Sequence, residues 1–218
     1  MPQVIVYDLD DTLYPEREFA YSGFNVVDTW LRENRSIEGF QAIARQLYQE
    51  GHRGKIFNIA FERMGLDFER SVIEQMVQEY RKHMPTLQLY PDAVKVIEYF
   101  KKSKHQAIIT DGTQVVQRNK IKALGLEKVI PCIIVTDELG PQHSKPSPLP
   151  YQKVTEYYKT SPSDCIYIGD NPQKDFVTAK KLGWKTIRIK RPEGTHYNTS
   201  TDTEHEADKE ISSLLELI

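Results

Sequence analysis

The sequence predicts an α/β fold whose parallel sheet is interrupted by one all-helical insertion. Short apolar runs rich in β-branched residues recur along the chain, each about as long as a buried strand. From the second run onward, amphipathic helical patterns separate the runs, and this alternation is typical of a parallel sheet covered by helices. The stretch 16–85 breaks the alternation, because it contains several helical patterns and no convincing strand.

The strand-like and helical runs can be placed individually. Strands are predicted at 4–7, 106–110, 133–136, 164–168 and 185–189. Helices are predicted at 91–102, 114–124, 147–158 and 172–182 in the α/β part, and at 24–31, 40–48, 56–64 and 72–80 in the insertion. A polar, threonine-rich stretch at 193–206 reads as a surface loop before a last helix near 206–217. The predicted α/β core is therefore split in sequence into 1–15 and 86–218, with the helical insertion at 16–85.

Composition limits the classes of partner. Of the 218 residues, 39% are hydrophobic and 28% charged, which is the balance of a globular protein with a sizeable core. The net charge of −2 provides no overall attraction to nucleic acid or to an anionic membrane, so small molecules are the expected partners. No oligomeric state follows from the sequence. Cys132 and Cys165 lie in apolar runs and are expected in the core, and we expect a cytoplasmic location.

Three carboxylates follow the first strand in the run Asp8-Leu9-Asp10-Asp11-Thr12. Like charges this close in a partly buried cleft raise one another's pKa unless a cation lies among them. Mg²⁺ is the expected cation, because it prefers oxygen ligands and commonly bridges carboxylates to a substrate phosphate. The alternative is an acidic turn that caps a helix.

A second acidic pair follows the fourth strand, where Gly169-Asp170 precedes Asp175 on the predicted first turn of the next helix. An ordinary helix N-cap is the alternative for this turn. Strand ends of an open parallel sheet form the crevice in which ligands bind, however. Asp8, Asp10 and Asp170 are therefore expected to converge on one ion.

Two further stretches lie at the same edge of the predicted sheet. Thr110-Asp111-Gly112 ends the second strand and offers a hydroxyl and loop amides to phosphoryl oxygens. Lys145, in Ser144-Lys145-Pro146, follows the third strand and could offset the charge of a phosphate and of a nucleophile. A surface lysine before a proline is the alternative for Lys145.

Taken in order, these stretches closely resemble the motifs of the haloacid dehalogenase superfamily. The first motif is Asp8-x-Asp10-x-Thr12, the second Thr110, the third Lys145, and the fourth Gly169-Asp170 with Asp175. The insertion looks like the helical cap of the branch that contains phosphoglycolate phosphatase, β-phosphoglucomutase and sialic acid phosphate phosphatases. The resemblance implies a Rossmann-like sheet with strands that begin near 185, 164, 4, 106 and 133 in spatial order.

The resemblance also implies a mechanism. Asp8 attacks phosphorus and forms an aspartyl-phosphate, and Asp10 protonates the leaving alkoxide and later deprotonates the hydrolytic water. Thr110 and Lys145 position and neutralise the phosphoryl group. The implied activity is Mg²⁺-dependent hydrolysis of a small phosphomonoester, with a sugar phosphate expected from the type of cap.

The same resemblance assigns the metal ligands. Asp8 and Asp170 bind Mg²⁺ through their side chains, and Asp10 binds it through its carbonyl. Asp175 supports Asp170 or a water on the ion.

Several alternatives stay open within and outside this family. A phosphosugar mutase keeps every core motif, and a nucleoside monophosphate is the next candidate substrate. A phosphonatase would require a lysine of the cap, for which Lys55 is available. A dehalogenase is disfavoured because such enzymes lack the carboxylate at the position of Asp10. A binding module without catalysis is disfavoured because no motif residue is missing.

The turn Gly51-His52-Arg53-Gly54 supplies two potentially cationic side chains between two helical patterns of the insertion. Caps of the resembling family close over the core, and one of their loops contacts the leaving group. His52 and Arg53 are therefore candidate substrate-binding residues, with a solvated turn as the alternative.

Overall fold

The computed structural model describes residues 2–218 and contains a parallel sheet. Its strands are β1 (Val4–Tyr7), β2 (His105–Thr110), β3 (Cys132–Val135), β4 (Cys165–Gly169), β5 (Lys185–Ile189) and β6 (Lys209–Ile211). Within the described residues the strand order is β3-β2-β1-β4-β5-β6, and every neighbouring pair is parallel. β1 thus lies between β2 and β4, where the direction of the strand order changes. The carboxyl end of β1 is the place where such a sheet binds ligands.

The helices are α1 (Glu16–Arg35), α2 (Phe40–Gln49), α3 (Ile56–Arg63), α4 (Arg70–Lys82), α5 (Pro91–Phe100), α6 (Gln114–Ala123), α7 (Leu149–Tyr158) and α8 (Val177–Lys181). The predicted α/β fold and spatial order of the five strands are confirmed, and each strand lies within one residue of its predicted bounds. All four residues of β1 are buried, as expected for a strand covered on both faces.

The predicted last helix near 206–217 is wrong. Residues Lys209–Ile211 form β6, which extends the sheet by pairing with β5, and a short 3₁₀ helix follows at Leu214–Leu217. Ser213 caps that 3₁₀ helix by accepting a hydrogen bond from the amide of Leu215. Pairing with the open edge of β5 outweighs the helical propensity of this segment, because it satisfies the strand's backbone groups and buries Ile211.

The chain divides into two compact units. The first consists of the residues up to Glu16 together with Leu87–Ile218, and it contains the sheet. Its core includes the β1 side chains Val4 and Val6 and both cysteines, which are free thiols, so the prediction of buried core cysteines is confirmed.

The second unit, Arg17–Thr86, has a core of its own made of side chains from α1 to α4. Phe24 and Phe40 both pack edge-on against Phe57, with ring centroids 6.3 and 5.6 Å apart. Gly23 lets α1 approach α4 closely, because a Cβ at this position would lie 2.4 Å from the ring of Tyr80. The assignment of this second unit as a cap stays a prediction.

Across the described part of the chain, helices long and apolar enough to cross a membrane are absent.

Candidate active site

The side chain of Asp8 is buried at the end of β1 and pairs with a lysine. Its amide donates to the carbonyl of Ile168 in β4 (2.8 Å), which holds the strand end in place, and its Oδ1 accepts from Lys145 Nζ (2.7 Å). The fully buried ammonium of Lys145 also donates to Asp175 Oδ1 and to the hydroxyl of Tyr167, both at 2.8 Å. All three ammonium protons are thus used. Burial alone would lower the pKa of Lys145, but Asp175 and Asp8 outweigh it and raise that pKa, so Lys145 is a fixed cation.

Three carboxylates crowd around this lysine. Oxygens of Asp8, Asp170 and Asp175 lie within 4.8 Å of one another. Burial raises the pKa of Asp8 to about 7, with Lys145 opposing and Asp175 adding to the rise. Burial, followed by the charges of Asp8 and Asp175, also raises the pKa of Asp170 well above its ordinary value.

The charges in this cluster favour a cation. Protonation of a crowded carboxylate is one way to relieve the repulsion, and a hard divalent ion with oxygen ligands is the other. The donor set, three buried carboxylates against the single ammonium of Lys145, therefore fits Mg²⁺.

Asp175 lies in a turn rather than on the first turn of a helix, so that prediction is wrong. The helix α8 begins at Val177, and the residues before it form a turn built on Asn171. The Asn171 amide donates to Asp175 Oδ2 (3.0 Å), and Asn171 Oδ1 accepts from the amide of Gln173 (3.0 Å). Local side-chain hydrogen bonds to the backbone compete with the helix here, which is why 172–182 is only partly helical. Both carboxylate oxygens of Asp175 are therefore already hydrogen-bonded within the protein.

Asp10 is hydrogen-bonded on both oxygens. Lys120 Nζ donates to Oδ1 (2.7 Å), as does the hydroxyl of Tyr14, and Gln117 Nε2 donates to Oδ2 (2.9 Å). Burial raises the pKa of Asp10, but the charge and hydrogen bond of Lys120, aided by Tyr14 and Gln117, outweigh it and hold the pKa below its ordinary value.

The third acidic residue of the run, Asp11, has a structural role. Its Oδ1 accepts from the amide of Glu16, the first residue of α1, and its Oδ2 accepts from the amide of Thr195, both at 2.9 Å. The capping alternative thus applies to Asp11, while Asp8 and Asp10 engage cationic side chains.

The stretch that ends β2 makes several hydrogen bonds within the first unit. Thr110 is buried, and its hydroxyl accepts from Gln117 Nε2 at 2.5 Å. Asp111 braces the loop of the third motif, since its Oδ1 accepts from the amide of Lys145 (3.0 Å) and its Oδ2 from Lys174 Nζ (2.9 Å). These bonds with Lys145 and Lys174 also hold the pKa of Asp111 below its ordinary value, against the effect of burial.

Gly112 adopts a φ of +129°, in the region that favours glycine. A Cβ there would lie 3.1 Å from the side-chain amide of Gln117, so a larger residue would crowd that side chain.

A cavity of about 140 Å³ opens between these groups. It is smaller than the roughly 300–1,000 Å³ of a typical small-molecule pocket, so it suits a phosphoryl group rather than a whole substrate. Its lining residues are Asp8, Asp10, Asp11, Glu16, Asp111, Asp170, Asn171, Lys174 and His196.

His52 and Arg53 belong to the second unit, and their contacts are local. The guanidinium of Arg53 donates to the carbonyl of Tyr48 (2.9 Å) and lies 3.7 Å from the centroid of the Tyr48 ring. His52 Nε2 lies 3.8 Å from a carboxylate oxygen of Glu50.

Sequence reasoning missed Tyr14, Gln117 and Lys120 as partners of Asp10. It also missed Thr136 and Lys174 as partners of Asp111. The sequence offers only a spacing signal on α6, where Gln117 and Lys120 are three residues apart and therefore share one helix face. That face is buried with Ile121, so both polar side chains need partners.

Comparison with protein families identifies the chain. The family model of haloacid dehalogenase-like hydrolases matches residues 5–189, a span that includes every motif residue described above. The chain belongs to this family. The haloacid dehalogenase-like hydrolase is 24% identical over 200 residues to a glyceraldehyde 3-phosphate phosphatase of Methanopyrus kandleri, with 88% of this chain and 85% of that protein covered. It is also 23% identical over 241 residues to a ribulose-1,5-bisphosphate 5-phosphatase of Halopiger xanaduensis, with 100% and 98% covered.

Solved structures show the same fold. The magnesium-bound hydrolase YfnB of Bacillus subtilis has a TM-score of 0.70 and 18% identity, with 99% of this chain and 96% of that chain covered. A phosphatase of the family from Thermococcus onnurineus has a TM-score of 0.62 and 24% identity, with 99% and 95% covered. The predicted class, a phosphoric monoester hydrolase of this family, is confirmed at that level.

Proposed function

We propose that this hydrolase uses Mg²⁺ to hydrolyse a small phosphomonoester through an aspartyl-phosphate on Asp8. The observation that carries the proposal is the arrangement of charges at the end of β1. Asp8 shares the buried Lys145 with Asp175, and Asp170 lies within 4.8 Å of both carboxylates. The three carboxylates exceed the charge of the one ammonium, so a dianionic phosphoryl group would be repelled without a divalent cation.

Asp8 and Asp170 are the side chains proposed to hold Mg²⁺, with the carbonyl of Asp10 as a further ligand. Asp175, engaged by Lys145 and by the Asn171 amide, fits a supporting role that orients its neighbours. When bound, the ion would neutralise charge on Asp8 and on the phosphoryl oxygens. A cation in this position also lowers the pKa of Asp8, which must be ionised to attack.

The chain's own residues carry the two steps. The Asp8 carboxylate forms a bond to phosphorus as the ester P–O bond breaks, and Asp10 gives a proton to the leaving oxygen. Asp10 then takes a proton from water, whose oxygen bonds to phosphorus while the bond to Asp8 breaks and phosphate leaves. Lys145, the Thr110 hydroxyl and the backbone at Asp111 and Gly112 are proposed to hold the phosphoryl oxygens.

The proposed substrate is a phosphorylated sugar or polyol. Relatives that act on glyceraldehyde 3-phosphate and on ribulose-1,5-bisphosphate support this class. The small cavity leaves recognition of the rest of the substrate to residues outside it.

Beryllium trifluoride tests the nucleophile directly, because it mimics a phosphoryl group on a carboxylate. With Mg²⁺ it is expected to abolish hydrolysis of p-nitrophenyl phosphate and to appear bonded to Asp8 in a crystal. Removal of Mg²⁺ with a chelator should abolish the same activity, and its return should restore it. Density on Asp10 or Asp11 would overturn the assignment of the nucleophile, and full activity in the chelator would overturn the metal requirement.

We also propose that Arg53 contacts the substrate beyond the phosphate. Arg53→Ala is then expected to lose about 1.5–3 kcal/mol of binding to the transition state, or about ten- to hundredfold in kcat/KM. The loss should appear for the best substrate of a phosphomonoester screen and be nearly absent for p-nitrophenyl phosphate, whose leaving group offers little to this contact. Arg70→Ala, at an exposed arginine of the same unit, is the control. Unchanged kcat/KM on both substrates would show that Arg53 does not contact the substrate and is a solvated turn residue.

A further inference from the structure

Asp10 accepts hydrogen bonds from three side chains that no motif of the sequence includes. Lys120 and Tyr14 both donate to Oδ1, and Gln117 donates to Oδ2. The side chain of Lys120 is only 5% exposed, so its charge has been removed from water and is paired with Asp10 at 2.7 Å. Burial of an ammonium without a partner is very costly, which ties the position of Lys120 to that of Asp10.

One of the three side chains, Gln117, connects Asp10 to Thr110, a residue proposed to bind the phosphoryl group. Gln117 Nε2 donates to Asp10 Oδ2 at 2.9 Å and to Thr110 Oγ1 at 2.5 Å. Gln117 and Lys120 lie three residues apart on α6, so one rigid helix face holds both. Tyr14, by contrast, is close to Asp10 in sequence, since it lies four residues after it. Asp10 is therefore fixed relative to Thr110 by a helix rather than by its own loop alone.

We propose that Lys120, Gln117 and Tyr14 are positioning residues that make Oδ2 of Asp10 the oxygen that carries the transferred proton. The proposal rests on the proposed function, in which Asp10 is the general acid and base. A carboxylate offers about four lone-pair sites, two on each oxygen. Lys120 and Tyr14 fill the two on Oδ1, and Gln117 fills one on Oδ2. The remaining site is on Oδ2, and it is the one available to a proton.

The chemistry then runs through one atom. The first step starts from Asp10 with a proton on Oδ2, which the negative charge of the bound phosphate favours against the charge of Lys120. This proton passes to the leaving oxygen as its bond to phosphorus breaks. In the second step Oδ2 takes a proton from the water whose oxygen bonds to phosphorus, and the bond between phosphorus and Asp8 breaks. The proton count of Asp10 is restored, and no other reactant is needed.

The test compares two esters that differ in their need for a proton donor. A p-nitrophenolate leaves without help, whereas the alkoxide of β-glycerophosphate must be protonated as it leaves. Because kcat/KM reports the steps up to cleavage of the ester, Lys120→Met is expected to lower kcat/KM for β-glycerophosphate by about 10²-fold. For p-nitrophenyl phosphate the change should be less than about threefold. A purely structural role of Lys120 would lower both values by the same factor.

Two further variants keep the test decisive. Lys122→Met makes the same change at an exposed position of α6 and should leave the ratio of the two kcat/KM values unchanged. Tyr14→Phe removes only a hydroxyl, so it gives an answer even if Lys120→Met fails to fold. Its ratio should shift in the same direction, by a smaller factor.

Asp10→Asn distinguishes failure of the proposed role of Asp10 from failure of the proposed positioning by its neighbours. An unchanged ratio in Asp10→Asn would overturn the role of Asp10 itself, and with it the positioning. A shifted ratio in Asp10→Asn, together with unshifted ratios in Lys120→Met and Tyr14→Phe, would overturn the positioning alone.

Discussion

Asp8→Asn is expected to reduce kcat by on the order of 10⁴-fold or more, because the amide cannot form the covalent intermediate. The fold should persist, since Asp8 is one of three crowded carboxylates and its neutralisation relieves repulsion from Asp175 and Asp170. Initial rates with p-nitrophenyl phosphate at saturating Mg²⁺ measure the loss, and circular dichroism and thermal unfolding measure the fold.

Asp202→Asn provides the matched control for this variant. Asp202 is an exposed carboxylate of the same unit, with 66% of its side chain accessible, and should tolerate the same change without loss of rate. Activity of Asp8→Asn above a few per cent of the wild type would show that another group attacks phosphorus.

Asp10→Asn is expected to slow both halves of the reaction, with a fall in kcat of about 10²–10⁴-fold. The concentration of Mg²⁺ for half-maximal activity should change little, because the proposed metal contact of Asp10 is its backbone carbonyl. Titration of activity with Mg²⁺ provides both quantities in one experiment.

Asp170→Asn is the contrasting variant, since Asp170 is proposed to bind the ion through its side chain. It should raise the Mg²⁺ requirement strongly. A similar rise in Asp10→Asn would contradict the division of labour between the two residues.

The strands of the core could be predicted because they are short apolar runs bounded by turns, and a buried parallel strand has few other solutions. The structure of the segment 206–217 could not be predicted in this way, because its charged residues before Ile211 are compatible with a helix. They form a strand because they pair with the open edge of β5. The helix after β4 was predicted to begin at 172 and to contain Asp175, but it begins at Val177, for a similar reason. The hydrogen bonds that form the turn at Asp175 are local, but they compete closely with a helical turn.

The residues of the site likewise fall into those that the sequence pattern predicts and those that only the three-dimensional structure identifies. Crowded carboxylates at the ends of β1 and β4 are visible in the sequence because strand ends of a parallel sheet meet at one edge. The partners of Asp10 could not be recognised in the sequence, because Gln117 and Lys120 have the pattern of ordinary polar positions of an amphipathic helix. Which face of α6 turns toward Asp10 depends on packing, and only the structure gives that rotation.

The central position of β1 has a consequence for the order in which the protein forms. β1 leaves the ribosome well before its partners, which begin at His105 and Cys165, so it has no neighbouring strand until about 100 further residues have been synthesised. Contacts between residues this distant in sequence close late and at a high cost in chain entropy. The helical unit has a core made of its own residues, so its core can form before β2 to β6, which follow it in sequence, have been synthesised. The proposed nucleophile, Asp8, is thus synthesised long before the strands that surround it.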